Sequence, residues 1–232
     1  MSGLNLDREK PIKMQIYEWL KGEIVSGRLV PGARLDKNML AKELEVSLTP
    51  LREALILLKH DGFIDMIPSL HTAVKLIDPK MVLENAFIRS SLEGSVVEHL
   101  AITGLSESTE DRCRRLIARQ WQAFEAEDYG EVFQCDLRIH KSLCDTLQLN
   151  TLWQNLHSNR SHLDRARQCS PINVPGIRKA IEQHEMLLDL ITQAKPREAR
   201  ELIKDHVYSV FKDLEKIDRK YLFEEIGDVV PA

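Results

Sequence analysis

The chain has 232 residues, of which 43% are hydrophobic and 29% charged, and its net charge is −4 at pH 7. This composition is typical of a globular protein with one large or two modest domains. The sequence has no apolar run of membrane-spanning length and no signal-peptide pattern at its N-terminus, so we expect a cytoplasmic protein without membrane partners. The net negative charge argues against a general polyanion binder, and a nucleic-acid contact would need a local basic patch.

The first segment of the chain has a helical pattern. Apolar residues at helical spacing start at Ile12, and Gly27 ends the predicted helix. The stretch "LVPGARL" predicts a turn around Pro31-Gly32. Asp36 then stands where it can cap a short second helix, which carries an apolar face of its own.

The stretch "VSLTPLREAL" predicts a third helix that stops at Gly62. Ser47 or Thr49 can cap it, and Pro50 fits the first turn, where its missing N–H has no cost. Arg52 stands in the same turn, where the helix dipole disfavours a cation. This placement indicates that Arg52 contacts something outside the chain.

Two short apolar or β-branched runs follow, on either side of Pro68-Ser69, and predict a β-hairpin. Helix, helix, turn, helix and hairpin is the order of a winged helix-turn-helix, in which the helix after the short turn enters the DNA major groove. An arginine at the leading end of that helix would face phosphates or guanine edges. A plain interaction module remains an alternative on this pattern alone.

Residues 12–76 resemble the DNA-binding segment of the GntR family of bacterial repressors. The shared motifs are the PG-x-R-L turn, the LA-x-x-L helix, the VS-x-TP-x-REAL helix and the L-x-x-DG exit. Two departures are Leu48, where the family often has arginine, and a wing tip without glycine. The resemblance implies contacts to DNA from Arg34, Ser47, Thr49, Arg52 and His71. Ordinary solvated charge remains the alternative for Arg34.

Asp78-Pro79 marks the predicted boundary between a DNA-binding domain, residues 1–77, and a second domain, residues 78–232. The second domain is helical almost throughout, and helices with short connections favour an antiparallel bundle. The predicted fold class is therefore mainly α, with an N-terminal winged helix-turn-helix and a bundle of about six helices. The predicted helices lie at roughly 79–102, 107–127, 130–147, 149–168, 176–194 and 196–222.

The bundle carries a possible set of metal ligands. Asp136 and His140 are four residues apart, so on a helix they project side by side, whereas His184 and His206 lie in the middle of two other predicted helices. One carboxylate and three imidazoles can bind a borderline divalent metal. The chain has eight histidines, and each of these three taken alone could equally be a surface residue or a hydrogen-bonded core residue.

The segment from Pro79 to Leu222 resembles the FCD ligand-binding domain of the FadR subgroup. The resemblance rests on Arg89-x-x-x-Glu93, Asp136-x-x-x-His140, His184 with its Leu pair, and "AREL...DH" leading to His206. It implies that these Asp and His residues bind a divalent metal, zinc or nickel, which helps to hold a small organic acid.

Three further residues are predicted to contact that acid. Arg89 is the expected carboxylate anchor, since a guanidinium binds a carboxylate through two hydrogen bonds. An intrahelical pair with Glu93 remains its alternative role. Asn159 and Arg160 lie on the next helix along the chain and are assigned to the same cavity by position.

The resemblances together predict a transcriptional repressor of the GntR family, FadR/FCD subgroup. They imply a homodimer that binds a pseudo-palindromic operator and responds to the organic acid. A metal-dependent enzyme acting on small carboxylates is the main alternative, although the sequence offers no general base for it. A DNA-binding structural protein with a metal-free bundle is a third possibility.

Overall fold

The structure, a computed structural model, describes residues 6–7, 9–67 and 71–223, without the side chains of residues 150, 158 and 159. The described residues form two compact units. The first contains the chain up to Val82, Asp164–Pro171 and the residues from Lys216 onward, and the second contains Leu83–Leu163 and Ile172–Glu215. No described helix is long and apolar enough to cross a membrane.

The first unit is a winged helix-turn-helix, which confirms the predicted fold class. Its elements are α1 (Ile12–Val25), α2 (Lys37–Glu43), α3 (Leu48–His60), β1 (Ile64–Ile67) and β2 (His71–Val74). The two strands pair antiparallel, with Ile64 opposite Val74 and Ile67 opposite His71. Fully buried apolar side chains of the three helices form one core, which includes Leu20, Leu51, Leu55 and Leu58. This core holds α3 against α1 and α2.

The predicted helix boundaries in this unit hold closely. The Asp36 carboxylate caps α2 by accepting hydrogen bonds from the backbone N–H groups of Asn38 and Met39, at 2.8 and 2.9 Å. Helix α3 starts at Leu48 with Ser47 as its N-cap residue, and the Ser47 side chain makes no capping hydrogen bond. Of the two candidate caps, Ser47 holds the N-cap position and Thr49 lies inside the first turn.

The loop before α2 is hydrogen-bonded to the hairpin. The Val74 N–H donates to the Ala33 carbonyl and the Leu35 N–H donates to the Thr72 carbonyl, each at 2.8 Å. Arg34, which lies between these two loop residues, pairs with Ala73 as an isolated antiparallel bridge. The Pro31-Gly32 turn thus places Arg34 beside strand β2.

The second unit is all-helical, as predicted. Its helices are α4 (Pro79–Thr103, from Leu83 onward in this unit), α5 (Glu107–Glu125), α6 (Tyr129–Asp145), α7 (Asn150–Gln168, up to Leu163 in this unit), α8 (Val174–Thr192), α9 (Pro196–Tyr208) and α10 (Val210–Leu214). The first five predicted helices agree with the structure to within a few residues.

The predicted helix over 196–222 is wrong in its second half. Helix α9 ends at Tyr208, α10 covers only Val210–Leu214, and a short 3-10 turn follows at Arg219–Tyr221. At the break, the Ser209 hydroxyl donates a hydrogen bond of 2.7 Å to the His206 carbonyl. Such a side-chain bond competes with the backbone hydrogen bonds that would continue a helix.

Gly94 on α4 lies next to the Arg200 side chain of α9. A Cβ atom at Gly94 would lie 3.3 Å from Cγ of Arg200, tighter than most contacts of that kind. The lack of a side chain at Gly94 leaves room for the Arg200 side chain. Glu93, next to Gly94, and His206, later on α9, are both buried in this unit.

Candidate functional site

Four side chains that are far apart in sequence meet inside the second unit. Asp136 and His140 lie one turn apart on α6, while His184 comes from α8 and His206 from α9. Each is at most 5% exposed. One potential ligand atom from each residue lies within 4.8 Å of the others. The structure thus brings together all four residues that the sequence nominated as metal ligands.

Asp136 is at the centre of this group. Its Oδ1 atom lies 3.3 Å from Nε2 of His184, 3.7 Å from Nε2 of His206 and 3.8 Å from Nε2 of His140. Bonds of 2.0–2.2 Å to a tetrahedral metal would separate the ligand atoms by about 3.3–3.6 Å. The three distances from Asp136 agree with that spacing to within a few tenths of an ångström.

Hydrogen bonds on the outer side of two of the rings determine which nitrogen of each faces the group. The Gln120 amide donates from Nε2 to the Val132 carbonyl at 3.2 Å, so its Oε1 faces Nδ1 of His184, at 2.9 Å. Oε1 of Gln183 lies 3.3 Å from Nδ1 of His206. An amide oxygen can only accept, so each Nδ1 donates and each Nε2 keeps its lone pair.

His140 has a charged outer partner in place of an amide. Its Nδ1 atom lies 2.8 Å from Oε2 of Glu93. The other carboxylate oxygen of Glu93 accepts a hydrogen bond of 2.7 Å from Nε of Arg89, one turn earlier on α4. Outer partners of this kind orient metal-binding imidazoles and raise their basicity. All three imidazoles therefore present Nε2 toward Asp136.

The charges in the site set the protonation of the ligands. Burial alone would raise the pKa of Asp136, but the Arg160 guanidinium and the nearby imidazoles outweigh it and hold that pKa well below its usual range. Burial lowers the pKa of His184 and lowers that of His206 further. Burial opposes protonation of His140 as well, but the Glu93 and Asp136 carboxylates raise its pKa overall.

The donor set fits a divalent metal. Nε2 of His184 and Nε2 of His206 are buried and have no hydrogen-bond partner among the described residues. A buried polar atom without a partner is costly, and a metal ion at this position would satisfy both atoms. Three imidazoles, each binding through a deprotonated Nε2, and one carboxylate suit zinc or nickel. The site can therefore hold a divalent metal.

The residues predicted to hold the effector have different surroundings. Arg89 is fully buried and forms the pair with Glu93 that was its alternative role, while its Nη2 also lies 3.2 Å from Nε2 of His140. Arg160, 3% exposed, donates from Nη2 to Oδ2 of Asp136. The Asn159 side chain lies outside the described residues. Arg89 and Arg160 thus both border the four-residue cluster.

The predicted DNA contacts lie on the first unit. Arg34, Ser47, Thr49 and Arg52 are exposed, and His71 is half-buried at the start of β2. Within the described residues, no ion pair neutralises Arg34 or Arg52, whereas the neighbouring Glu53 pairs with Lys13 at 3.6 Å. The guanidinium at the start of α3 is therefore available to an outside partner.

Sequence reasoning missed three of the buried polar residues around the cluster. Gln120 and Gln183 were not considered, and Glu93 was considered only as a partner of Arg89. Gln120 offered a usable signal, since it interrupts the apolar face of α5 formed by Cys113, Ile117 and Phe124. A polar residue at such a position needs a buried partner. Gln183 is adjacent to His184 in sequence and carries no comparable signal.

Comparison with known proteins gives two family matches. The profile described as "Bacterial regulatory proteins, gntR family" matches residues 12–72, and that of the FCD domain matches residues 84–209. Together they cover most of the chain.

Individual relatives are similar to the chain over most of its length. An uncharacterized HTH-type transcriptional regulator in an unstable DNA locus of Streptomyces ambofaciens is 29% identical over 205 residues, which are 88% of this chain and 86% of the relative. The HTH-type transcriptional repressor RspR of Escherichia coli K12 is 28% identical over 196 residues, 83% of each chain. The solved structure of E. coli McbR/YncC has a TM-score of 0.74 at 23% identity, covers 88% of this chain and 97% of its own, and supports the fold.

Proposed function

The chain belongs to the GntR family of bacterial regulatory proteins and carries an FCD domain, and on this basis we propose that it is a metal-dependent transcriptional repressor. In this proposal, a small organic acid binds beside zinc or nickel in the helical domain and controls the affinity of the winged helix for operator DNA. Family membership and the names of its relatives identify a transcriptional regulator and not an enzyme.

The observation that carries the proposal is the convergence of Asp136, His140, His184 and His206 in one buried cluster. When bound, a divalent metal would supply a Lewis-acidic centre for a carboxylate oxygen. Arg89, at the edge of the cluster, has donors for the same carboxylate. Binding at this site and at the DNA surface would be linked, so that the effector and the operator change each other's affinity.

A ligand screen tests the effector half of this function. Sugar acids, hydroxy acids and dicarboxylates are added in turn to the purified protein, whose metal content is known, and its melting temperature is recorded. A compound that binds only the native state raises the melting temperature. Each hit is then added to a mobility-shift titration with operator DNA. The proposal fails if no compound of these classes changes both the melting temperature and the DNA affinity.

Replacing Arg52 with alanine is expected to weaken operator binding by about 1–3 kcal/mol, the usual value of one base contact. Arg52 is exposed in the first turn of α3 and has no ion-pair partner among the described residues. Mobility-shift titration measures the change. Lys59→Ala is the matched control, because Lys59 is an exposed cation in the last turn of the same helix. Equal operator affinities for wild type and Arg52→Ala would show that Arg52 makes no contact with the DNA groove.

A homodimer is expected, because one winged helix buries too little surface for tight specific binding and a two-fold dimer matches a pseudo-palindromic operator. Sedimentation velocity at micromolar protein concentration should show a dimer. Tight binding of a strict monomer to one half-site would contradict this expectation.

A further inference from the structure

The Arg89 guanidinium and the proposed metal compete for the same atom, Nε2 of His140. Nη2 of Arg89 lies 3.2 Å from Nε2 of His140. A guanidinium can only donate hydrogen bonds, so Nε2 is the acceptor in this contact and uses its lone pair. That lone pair is the one His140 would offer to a metal, since its Nδ1 faces Glu93. The hydrogen bond and the metal bond therefore exclude each other.

We propose that Arg89 is a metal-dependent switch: its guanidinium binds the lone pair of His140, and a metal, which needs that lone pair, would release the guanidinium to hold a carboxylate ligand. This inference rests on the proposed metal site and concerns the order in which its ligands bind.

Glu93 can keep its contacts with both Arg89 and His140 when a metal binds. It accepts from Nε of Arg89 through Oε1 at 2.7 Å and faces Nδ1 of His140 through Oε2 at 2.8 Å. Neither contact involves the lone pair of His140. Both can therefore persist when a metal replaces Nη2 of Arg89, so that only the end of the guanidinium changes its partner.

Metal binding would leave both terminal nitrogens of the Arg89 guanidinium without a hydrogen-bond partner among the described residues. Nη1 of Arg89 is already without a hydrogen-bond partner among the described residues, and Arg89 is fully buried. Loss of the His140 contact frees Nη2 as well. Unpaired donors on a buried cation are costly, and a carboxylate can accept from both nitrogens at once. Metal and carboxylate should therefore strengthen each other's binding, and by linkage the effect is reciprocal.

The Arg89→Lys variant separates this switch from a purely structural role. Lysine keeps the positive charge beside Glu93, but its amine stands one bond short of the guanidinium nitrogens and loses the contact with His140. Zinc affinity is measured on the full-length, metal-stripped chain by competition with a chromophoric chelator. We expect zinc to bind the variant about two- to tenfold more tightly than wild type, because no hydrogen bond has to be broken.

The alternatives predict different results. If Arg89 only neutralises Glu93, the lysine variant binds zinc as wild type does, and if Arg89 only supports the fold, it binds zinc more weakly. Either result would overturn the switch. A wild type that binds no zinc would instead refute the metal site of the proposed function. Acetate, added as the probe carboxylate, should tighten zinc binding to wild type more than to the variant, and an equal effect on both would also count against the switch.

A measurement on wild type alone decides the question if the lysine variant does not melt cooperatively. Nitrogen-15 NMR of the metal-free protein distinguishes ring nitrogens that accept a hydrogen bond from those that do not. Nε2 of His184 and of His206 have no donor within the described residues and act as internal references. The Nε2 signal of His140 should differ from both in the direction of a hydrogen-bonded acceptor. Three coincident signals would exclude the contact and the switch with it.

Discussion

Replacing His184 or His206 with alanine is expected to abolish stoichiometric metal binding and to lower the melting temperature of the metal-treated protein. The ligands come from three helices, and only the folded unit brings them together, so the free energy of metal binding is also free energy of folding. A free metal concentration a thousand times the dissociation constant stabilises the native state by about 4 kcal/mol. Each kcal/mol corresponds to about 2–4 °C in a chain of this size.

Elemental analysis and thermal unfolding, with and without a chelator, measure this effect. The matched controls are His99→Ala and His157→Ala, because both histidines are exposed helical residues outside the cluster. The controls should keep the metal and its contribution to the melting temperature. In the two cluster variants the chelator should make no further difference. Full metal occupancy in either variant would place the metal elsewhere and remove the basis for the effector site.

Part of the proposed metal site could be predicted from residue spacing alone. Asp136 and His140 at four-residue spacing must share a helix face, and this local rule holds in α6. The convergence of His184 and His206 with them did not follow from spacing, because it depends on how α6, α8 and α9 pack. Their mid-helix positions made these two residues candidates, the resemblance to a family completed the prediction, and the structure places them 4.7 Å apart between ring centroids.

The outer partners were beyond sequence reasoning for a physical reason. Glu93 and Arg89 are four residues apart, which predicts their pair but not the second contact that each makes with His140 across the core. Gln120 and Gln183 act through the orientation of an amide, which is set by neighbours such as the Val132 carbonyl. Helical periodicity identifies the face on which a residue lies and contains no information about these long-range partners.

The end of α9 before Ser209 could not be predicted from the local pattern either. Residues 196–222 keep a helical pattern, and the sequence has no glycine or proline at the point where α9 ends. The chain from Lys216 onward belongs to the first unit, so it leaves the bundle shortly after α10. Local propensity favours continuation of the helix, and the local pattern contains no information about which unit the chain joins after α10.

The Asp136→Asn variant is expected to be less stable than wild type even in the presence of a chelator. The Asp136 carboxylate is buried and accepts a hydrogen bond from the buried Arg160 guanidinium, which holds the pKa of that carboxyl low. Asparagine keeps the shape of the side chain but removes the negative charge that faces Arg160. Breaking a buried ion pair from one side typically costs about 3–5 kcal/mol. Denaturant unfolding of the metal-free protein measures the loss.

Asp145→Asn on the same helix provides the matched comparison. Asp145 pairs with Lys141, four residues away, at 2.5 Å, but both side chains are more than 40% exposed. An exposed pair of this kind contributes at most about 1 kcal/mol, so Asp145→Asn should unfold close to wild type. Equal losses of unfolding free energy in the two variants would mean that burial does not strengthen the ion pair between Asp136 and Arg160. A large loss in Asp136→Asn alone would show that this carboxylate stabilises the bundle before any metal arrives, in addition to any role as a ligand.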